Sequence, residues 1–521
     1  MEKAELISYA KQFYDEQELE RLSRAIDFAI NRHEGQFRKS GEKYIRHPLK
    51  VAGILVEWGM DIDSVVAGVL HDTVEDTDTT INELEEAFGI NVAFLVDGVT
   101  KVGRARAGMD NLESYLPQTK DNLSKLLIAV GQDVRVVIIK LADRLHNLQT
   151  LQYMPPEKQK KIARESLDVF APIADRLGMG RVRMQLEELS FSYLDHKEYT
   201  RLQNEMRKRL GKSTRRLGKV RERVESELRA AGVEFEISGR VKSIYSLHKK
   251  LQKTGGDIDR IYDLMALRII VKNKEDCYRV LGILHSMYLP MIARIKDYIS
   301  LPKPNGYQSL HTTVITPSKL IAEFQIRTEE MHEYAERGLA ASFHYHEQKS
   351  NKSYLKGETS KKNGSRQEVK GNGGLSNELQ WISQLQDVAL RLREGEEISP
   401  DQLQIDIFGN RIFVYSPKGD IYNLPEGSLP LDFAYMVHSD IGKHAYAFKV
   451  NEKIHAFDKS LKEGDVVEVL TRKTSRPKQD WLELVKTSHG KSKVRAHLKK
   501  AGLIKPVSNA AAIRARKASE K

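Results

Sequence analysis

The chain has 521 residues, of which 40% are hydrophobic and 30% charged, a composition typical of globular proteins and not of disordered ones. Its length exceeds what one hydrophobic core usually serves and predicts about three domains. A single cysteine, Cys277, excludes an internal disulfide and a thiolate zinc site built from this chain alone, and we expect it to be a small buried hydrophobe.

No run approaches the roughly 20 apolar residues of a membrane helix, and the N-terminus lacks the profile of a signal peptide, so we expect a cytoplasmic protein. The formal net charge of +12 predicts polyanionic partners such as nucleotides or RNA. Much of the excess positive charge lies at 207–223 and 491–521. Instead of binding a polyanion, the first segment could be a solvated helix face and the second a frayed tail.

Residues 1–195 carry apolar positions three and four apart, which predicts an all-α domain. The β-branched run Val134 to Ile139 resembles a strand, but Leu141 and Leu145 continue the helical spacing. The predicted helices with the clearest pattern are 63–71, 122–130 and 133–146.

From about residue 235 the pattern becomes mixed α/β. Segments 261–271 and 310–315 are β-rich, whereas 275–287 and 329–346 are helical in spacing. The fold class expected is therefore multidomain α and α+β.

A segment at 348–377, poor in apolar residues, predicts a flexible linker. Beyond it, alternating strands surround a Pro-Lys-Gly-Asp turn at 417–420, and further strands are predicted at 450–454 and 465–471. Together they indicate a small β-grasp module that ends near residue 472.

Four polar residues, His71, Asp72, Glu75 and Asp76, follow the apolar helix that begins near Val65. On one continuous helix these positions fall within an arc of roughly 140 degrees and share one face. Four buried ionisable groups demand a compensating charge, which a divalent metal supplies.

Two more candidate ligands are His47 and Asp143. Two imidazoles with two carboxylates suit manganese, iron or zinc better than calcium. A His-Asp dipeptide alone is a weak signal, because such pairs are usually exposed, but the set of His47, His71, Asp72 and Asp143 is specific.

The segments 38–42, 71–76 and 140–147, together with His47, resemble the hydrolase domain of the long RelA/SpoT homologues, a branch of the HD phosphohydrolases. The resemblance implies manganese at His47, His71, Asp72 and Asp143 and removal of the 3′-pyrophosphate from ppGpp or pppGpp. It implies that Glu75 and Asp76 orient or deprotonate the attacking water. It also implies nucleotide binding by Arg38, Lys39, Ser40, Asn147 and Thr150. A degenerate HD domain kept for structure or regulation is the alternative.

A second set of polar residues begins with the cations of the segment 239–250, around a turn and the first turns of a helix, an arrangement that can bind phosphates. Asp263 and Glu323 are single acids in apolar strands, which indicates magnesium held against phosphates. Structural salt bridges are the alternative for these acids.

The segments 303–311 and 325–332 resemble the RelA/SpoT synthetase domain. The resemblance implies transfer of pyrophosphate from ATP to the 3′-hydroxyl of GDP or GTP. It implies magnesium at Asp263 and Glu323, with Glu323 as the base, and Tyr307 stacked on guanine. The implied nucleotide-binding residues are Arg240, Lys242, Ser246 and Lys250 on the ATP phosphates, Lys296, Lys303, Asn305 and His311 on the acceptor, and Arg268.

The sequence Arg-Ile-Lys-Asp at 294–297 is the basic tetrad that, in this family, accompanies bifunctional enzymes and GDP preference. Residues 405–471 resemble the TGS domain, which implies contact with deacylated tRNA on a ribosome. His438 matches the position associated with the tRNA 3′ end, and an ordinary surface histidine is the alternative. The cysteine-rich and ACT modules of the family are absent, so we expect a C-terminally shortened member.

The preferred interpretation is a bifunctional (p)ppGpp synthetase and hydrolase whose two activities are coupled through the helices at 157–229. The alternatives are a hydrolase-dominant member with a weak synthetase, and a tRNA- or ribosome-binding starvation sensor with relic catalytic domains. The expected domains are the hydrolase at 1–195, the synthetase with connecting helices at 196–347, a linker and helix at 348–403, the TGS domain at 404–472 and a basic helical start at 473–521.

Overall fold

The structure, a computed structural model, describes residues 1–107, 133–256, 265–303, 305–340 and 411–504, except for the side chains of 101–107 and 210–214. The chain divides into two compact units, Met1–Arg393 and Glu394–Lys521. The predicted helix at 122–130, the linker at 348–377 and the candidate ligand Asp263 lie outside the described residues. Within the described ranges, every helix is too short or too polar to span a bilayer.

The first part of unit one is helical, as predicted. In the helix Val134–Gln149, every side chain from Arg135 to His146 is buried. Because the helix has no exposed polar face over these residues, its sequence lacks a clear amphipathic pattern. The helices are α1 (Lys3–Ala10), α2 (Glu16–Arg32), α3 (Arg46–Trp58), α4 (Ile62–Leu70), α5 (Thr73–Asp76), α6 (Ile81–Phe88), α7 (Ile90–Ala107), α8 (Val134–Gln149), α9 (Pro156–Glu165), α10 (Ala171–Arg176), α11 (Gly180–Leu194) and α12 (His196–Ala230), with a π-helical turn at Ser166–Phe170.

The predicted continuous helix through residues 71–76 is wrong, because α4 ends at Leu70 and a separate short helix begins at Thr73. The Thr73 hydroxyl donates to the Leu70 carbonyl oxygen at 2.7 Å, a local bond that competes with the helical ladder. His71 and Asp72 therefore occupy the junction between two helices. His71 is buried, whereas Glu75 and Asp76 are exposed, which corrects the expectation of four buried groups.

Helix α12 carries one of the two basic stretches. Its Leu202, Met206, Leu217 and Val224 are buried, whereas Arg207 is exposed. The charge excess on this helix is thus a solvated helix face.

A mixed sheet completes the described part of unit one, with strand order β1-β2-β6-β5-β3 and β4 also paired with β5. Strand β2 runs parallel to β6 and antiparallel to β1, and Cys277 is buried in the core between this sheet and α14, as expected. The elements are β1 (Phe235–Val241), α13 (Ile244–Lys253), β2 (Met265–Val271), α14 (Lys274–Met287), β3 (Leu289–Pro290), β4 (Lys296–Asp297), β5 (Leu310–Ile315), β6 (Ile321–Thr328) and α15 (Glu329–Arg337).

Helix α15 ends at Arg337, because Gly338 adopts φ +58°. This conformation suits glycine. A side chain at Gly338 would also meet the Leu177 carbonyl oxygen, so this turn is packed directly against the end of α10. The predicted helix extends to His346, and its residues 341–346 lie outside the described part of the chain.

Unit two contains a two-stranded sheet, β7 (Arg411–Tyr415) with β8 (Ile421–Pro425), and a three-stranded sheet in the order β10-β9-β11. The Pro-Lys-Gly-Asp turn is found as predicted, but 450–454 is a hairpin turn and not one strand, because Asn451 and Glu452 have positive φ. The remaining elements are α16 (Pro430–Val437), α17 (Ser439–His444), β9 (Ala445–Val450), β10 (Lys453–His455), β11 (Val467–Thr471), α18 (Trp481–Leu484) and α19 (Ser488–Lys500).

The core of unit two extends past residue 472. Trp481 and Val494 pack with Tyr435 of α16. The buried Asp432 carboxylate accepts hydrogen bonds from the backbone amides of Lys486 and Thr487, at 3.1 and 2.8 Å. Residues 481–498 are therefore part of the same folded unit.

Replacement of Gly338 by alanine is expected to lower the free energy of unfolding by about 1–3 kcal/mol, because the added methyl group overlaps a backbone carbonyl and the φ angle disfavours alanine. The matched control is Gly282→Ala in α14, where a Cβ meets nothing within 4 Å and alanine favours the helix. Chemical denaturation measures both. Equal midpoints for the two variants would contradict the packing argument.

Candidate active sites

A cluster of buried imidazoles and carboxylates lies where α3, α8 and the junction after α4 meet. His47, His71 and Asp143 each offer a ligand atom, and these atoms all lie within 4.8 Å of one another. Asp72 completes the set, because its Oδ1 lies 3.1 Å from His71 Nε2 and its Oδ2 lies 3.5 Å from His47 Nε2. The structure thus brings together the four predicted metal ligands.

The donor set fits a divalent metal ion. His71 Nδ1 donates to the Gly68 carbonyl oxygen at 2.8 Å, which directs Nε2 toward the carboxylates. Although Asp72 Oδ1 lies 3.1 Å from this buried Nε2, the two atoms are not aligned for a hydrogen bond, and Nε2 makes none with the described residues. A cation would satisfy this arrangement. Although burial acts to lower it, Asp72 and Asp143 raise the pKa of His71 to about 9, so the site favours positive charge at this point.

Neighbouring side chains hold the two carboxylates in place. Lys140 Nζ lies 2.8 Å from Asp143 Oδ2, and Asn147 donates to Asp143 Oδ1. Although burial acts to raise it, the pKa of Asp143 is held well below its usual value by Lys140 and His47. Tyr44 contacts both Asp72 Oδ2 and Asp76 Oδ2, at 2.9 and 2.6 Å.

The candidate proton acceptors flank this cluster. Desolvation raises the pKa of the Glu75 carboxyl to about 7, although much of its side chain is exposed. A carboxylate with such a pKa is suited to proton transfer near neutral pH. Asp76 is joined to the ligand Asp72 through the Tyr44 hydroxyl.

The predicted nucleotide-binding residues of this site are only partly assembled. Arg38 donates to Asn147 Oδ1 at 2.9 Å and to Thr150 Oγ1 at 3.3 Å, which links the loop before α3 to the end of α8. Lys39 is exposed, and the Ser40 hydroxyl accepts from the nearby Glu42 amide. Arg38, Asn147 and Thr150 therefore form one group beside the cluster.

A second cavity, of about 260 Å³, lies over one face of the sheet. Its base is β6, where Glu323 and Gln325 follow the strand alternation, and Gln325 Nε2 donates to Glu323 Oε1 at 3.3 Å. Arg240 of β1 donates to Gln325 Oε1 at 3.0 Å. The predicted residues that line the cavity are Arg240, Lys242, Ser246, Lys303, Asn305, Tyr307, His311 and Glu323.

Aromatic and cationic groups meet at one end of this cavity. The Tyr307 hydroxyl and His311 Nε2 are 2.9 Å apart, and Lys303 Nζ lies 5.0 Å from the centre of the Tyr307 ring. Burial, together with Lys303 and Arg240, lowers the pKa of His311 to about 3. His311 is therefore a neutral hydrogen-bonding group and not a cation.

Some predicted residues lie away from the cavity lining. Arg268 pairs with Glu336 at 3.3 Å, Lys296 is opposite His311 on the neighbouring strand β4, and Lys250 is half-buried one turn beyond Ser246. The other predicted magnesium ligand, Asp263, lies outside the described residues. Asp175 of α10 and Arg183 of α11 also line the cavity.

Sequence reasoning missed several residues that contact the predicted ones. Gln325 and Arg327 alternate with apolar residues after Glu323 on β6, a period-two signal that was available. Lys140 lies three residues before Asp143 on one helix, which was also a usable signal. Tyr44, His146 and Asp175 reach their partners through tertiary contacts, for which the sequence carried no signal.

Family models match three parts of the chain. The HD domain model matches residues 25–180, the model for the region found in RelA and SpoT proteins matches 239–350, and the TGS domain model matches 412–471. The chain belongs to the RelA/SpoT family. The predicted multidomain α and α+β fold class is confirmed.

Curated relatives of this RelA/SpoT chain are similar over nearly all of its length. A protein of Myxococcus xanthus named GTP pyrophosphokinase is 41% identical over 94% of this chain and 61% of its own. A guanosine-3′,5′-bis(diphosphate) 3′-pyrophosphohydrolase of Aquifex aeolicus is 41% identical over 93% of this chain and 65% of its own. The bifunctional (p)ppGpp synthase/hydrolase SpoT of Escherichia coli is 38% identical over 94% of this chain and 66% of its own. The chain thus spans about three fifths to two thirds of the length of these relatives.

Replacement of Asp143 by asparagine deletes a buried negative charge from the cluster and is expected to weaken binding of Mn²⁺ by more than about 100-fold. Loss of a residue that only hydrogen-bonds a metal ligand typically costs about 10- to 100-fold. Titration calorimetry of the metal-free chain measures the affinity. Asp168→Asn, at an exposed acid of the π-helical turn, is the control and is expected to bind normally. Equal affinity of the two variants would contradict a metal site at this cluster.

Proposed function

We propose that this chain both hydrolyses and synthesises (p)ppGpp, at two separate sites in unit one. The single observation that carries the proposal is the presence, in one chain, of a buried His/Asp cluster with an unsatisfied His71 Nε2 and of a separate cation-lined cavity that holds Glu323. The names of the relatives, which include both activities, support the same conclusion.

In the proposed hydrolysis, water attacks the phosphorus joined to the 3′-oxygen, and GDP or GTP leaves with release of pyrophosphate. His47, His71, Asp72 and Asp143 would hold a divalent metal, for which we propose Mn²⁺ because the donor set mixes nitrogen and oxygen. The chemistry that a bound metal ion would supply there is a lower pKa of water and polarised phosphoryl oxygens. Glu75 or Asp76 accepts the water proton, and Tyr44 orients the Asp76 carboxylate toward the cluster.

The residues around this cluster suit an anionic nucleotide. Arg38 is fixed by Asn147 and Thr150 and presents a guanidinium group beside the metal ligands. Lys140 neutralises part of the charge of Asp143 and limits the repulsion that two carboxylates would exert on a phosphate. We therefore propose that Arg38, Asn147 and Thr150 bind the substrate, with Lys39 and Ser40 contributing from the same loop.

In the proposed synthesis, the 3′-oxygen of GDP or GTP attacks the β-phosphorus of ATP, and the bond to the α-phosphate breaks with release of AMP. Glu323 takes the hydroxyl proton, and the cations around it stabilise the charge of the transferred group. Arg240, Lys242 and Ser246 lie at the β1–α13 side of the cavity and would bind the ATP phosphates. Lys250 and Arg268 would complete this side as the nucleotide enters.

The acceptor nucleotide is assigned to the opposite side of the cavity, near Lys303, Asn305, Tyr307 and His311. Lys303 lies over the rings of Tyr298 and Tyr307, and a purine can stack at the same aromatic surface. Lys296 extends this side from β4. We propose that Glu323 and Asp263 would hold Mg²⁺, since carboxylate oxygens and phosphates are its usual ligands.

Two features support coupling between the sites. Asn305 Nδ2 donates to the Asp175 backbone oxygen at 3.0 Å, and a Cβ at Gly178 would lie 3.1 Å from the Asn305 carbonyl oxygen. Helices α9 to α11 thus connect the loop of the synthetase cavity to the part of the chain that carries the metal cluster. We propose that a shift of these helices favours one activity at the expense of the other.

For unit two we propose contact with deacylated tRNA on the ribosome, which the TGS match supports. The His438 side chain is 65% exposed and precedes α17, so it is accessible to an RNA end. Filter binding of deacylated tRNA to the chain and to its His438→Ala variant tests this contact. Equal binding by both proteins would contradict a role for His438.

Paired assays on the purified chain test the two activities. ATP with GDP and Mg²⁺ is expected to yield ppGpp, and ppGpp with Mn²⁺ is expected to yield GDP and pyrophosphate.

Glu323→Gln is expected to lower synthesis by about 10²–10⁴-fold through loss of a general base, with hydrolysis retained. Asp72→Asn is expected to abolish hydrolysis with synthesis retained, and chelation of divalent metals is expected to stop both reactions.

The two variants serve as controls for each other, because each leaves the other site intact. Loss of both activities in either folded variant would contradict two separate sites. Absence of both activities in the parent chain would contradict the proposed function.

A further inference from the structure

His146 is a buried histidine of the hydrolase region to which the mechanism above gives no role. It lies on α8, one turn beyond the ligand Asp143, and is 8% exposed. Its ring lies beside the ring of His47 and nearly parallel to it, with centroids 4.9 Å apart and an interplanar angle of 29°. The two Nδ1 atoms are 2.7 Å apart. Such a distance requires one proton between two nitrogens, because two lone pairs or two N–H groups would repel.

The other ligand histidine shows what this contact can do. His71 Nδ1 faces the Gly68 carbonyl oxygen, which can only accept, so Nδ1 carries a proton and Nε2, which faces the carboxylates, is the nitrogen left to bind a metal. His47 has the same orientation, since its Nε2 lies 3.3 Å from Asp143 Oδ1. Its Nδ1, however, faces a side chain that can either donate or accept.

We propose that His146 is a positioning residue of the hydrolase site: its Nδ1 accepts the proton of His47 Nδ1–H, which keeps the Nε2 lone pair of His47 directed at the metal. The inference rests on the proposed function, and it deepens the account of that site. The opposite sense of the bond would place the proton of a neutral His47 on Nε2, where it would exclude a cation. A hydrogen bond from the non-ligating nitrogen also orients the ring and increases its basicity.

Metal affinity provides the first test. His146→Leu removes the acceptor and retains much of the apolar volume, and it is expected to weaken Mn²⁺ binding by about 10- to 100-fold. His146→Asn offers an amide oxygen near the former Nδ1 and is expected to restore most of that affinity. The control is His285→Leu, at a half-buried histidine that pairs with Thr312 in the sheet, and it is expected to bind Mn²⁺ as the parent chain does. Paramagnetic resonance titration of the full chain with Mn²⁺ measures all four proteins.

Tautomer state provides a second test that needs neither metal nor activity. Long-range proton–nitrogen correlation spectra of the metal-free chain, labelled with ¹⁵N-histidine, report which ring nitrogen carries the proton. The expected result is His47 protonated on Nδ1 in the parent and His146→Asn proteins, and a mixture of tautomers in His146→Leu. The signal is assigned by its loss in a His47→Gln variant.

Two results would overturn the inference: His47 with its proton on Nε2 alone in the parent chain, or parent-like Mn²⁺ affinity in folded His146→Leu. Thermal melts verify folding, and the parent spectrum decides the question if His146→Leu does not fold. Failure of the proposed function is a separate result. A parent chain that binds Mn²⁺ through a correctly oriented His47 but releases no pyrophosphate from ppGpp would refute the activity and leave the role of His146 intact.

Discussion

The cost of burying charge governs the first half of this structure. His47, His71, Lys140 and Asp143 are each at most 6% exposed, in a core made largely of apolar side chains. An isolated ion in such surroundings costs several kcal/mol, so every charge needs a partner. Lys140 compensates for only one carboxylate, and two acids with two imidazoles leave room for a cation. The packing of α3 against α8 and the break after α4 bring these groups together.

The cost of burying charge also applies to the second cavity, but there the excess charge is positive. Its lining carries more cationic than anionic side chains, among them Arg240, Lys303 and the buried Arg327. Burial together with neighbouring cations lowers the pKa of His311 and so prevents a further positive charge there. An excess of positive charge in a partly buried cavity is compensated by a polyanion, and nucleotide phosphates have the required charge and size. One site thus favours a cation and the other favours anions, which is what the proposed metal-dependent hydrolysis and the proposed transfer between two nucleotides require.

The sequence predicted those features that depend on local periodicity. Spacing that continued to Leu145 identified α8 as a helix despite its β-branched start, and the apolar residues around Glu323 indicated a strand. The helix break at His71 was missed because it depends on a hydroxyl of Thr73 that bonds one carbonyl, a feature with no periodic pattern. Tyr44 and His146 were missed for another reason: their partners lie 28 and 99 residues away, and only the tertiary fold brings them into contact.

These two residues show how a metal site becomes specific for one orientation of its ligands. A carboxylate or imidazole alone can rotate, flip or change tautomer, so four correct residue types do not yet define a coordination geometry. In this chain His71 is fixed by its own helix through Gly68, Asp143 by Lys140 and Asn147 of the same helix, and Asp72 by Tyr44 from the loop before α3. His47 is the ligand whose Nδ1 partner comes from a different helix, α8. Since α8 also supplies Asp143 and leads into the helices that reach the second cavity, a displacement of α8 would alter the orientation of His47 and the position of Asp143 together. The geometry of the His/Asp cluster is thereby tied to the same helices on which the proposed coupling of the two sites depends.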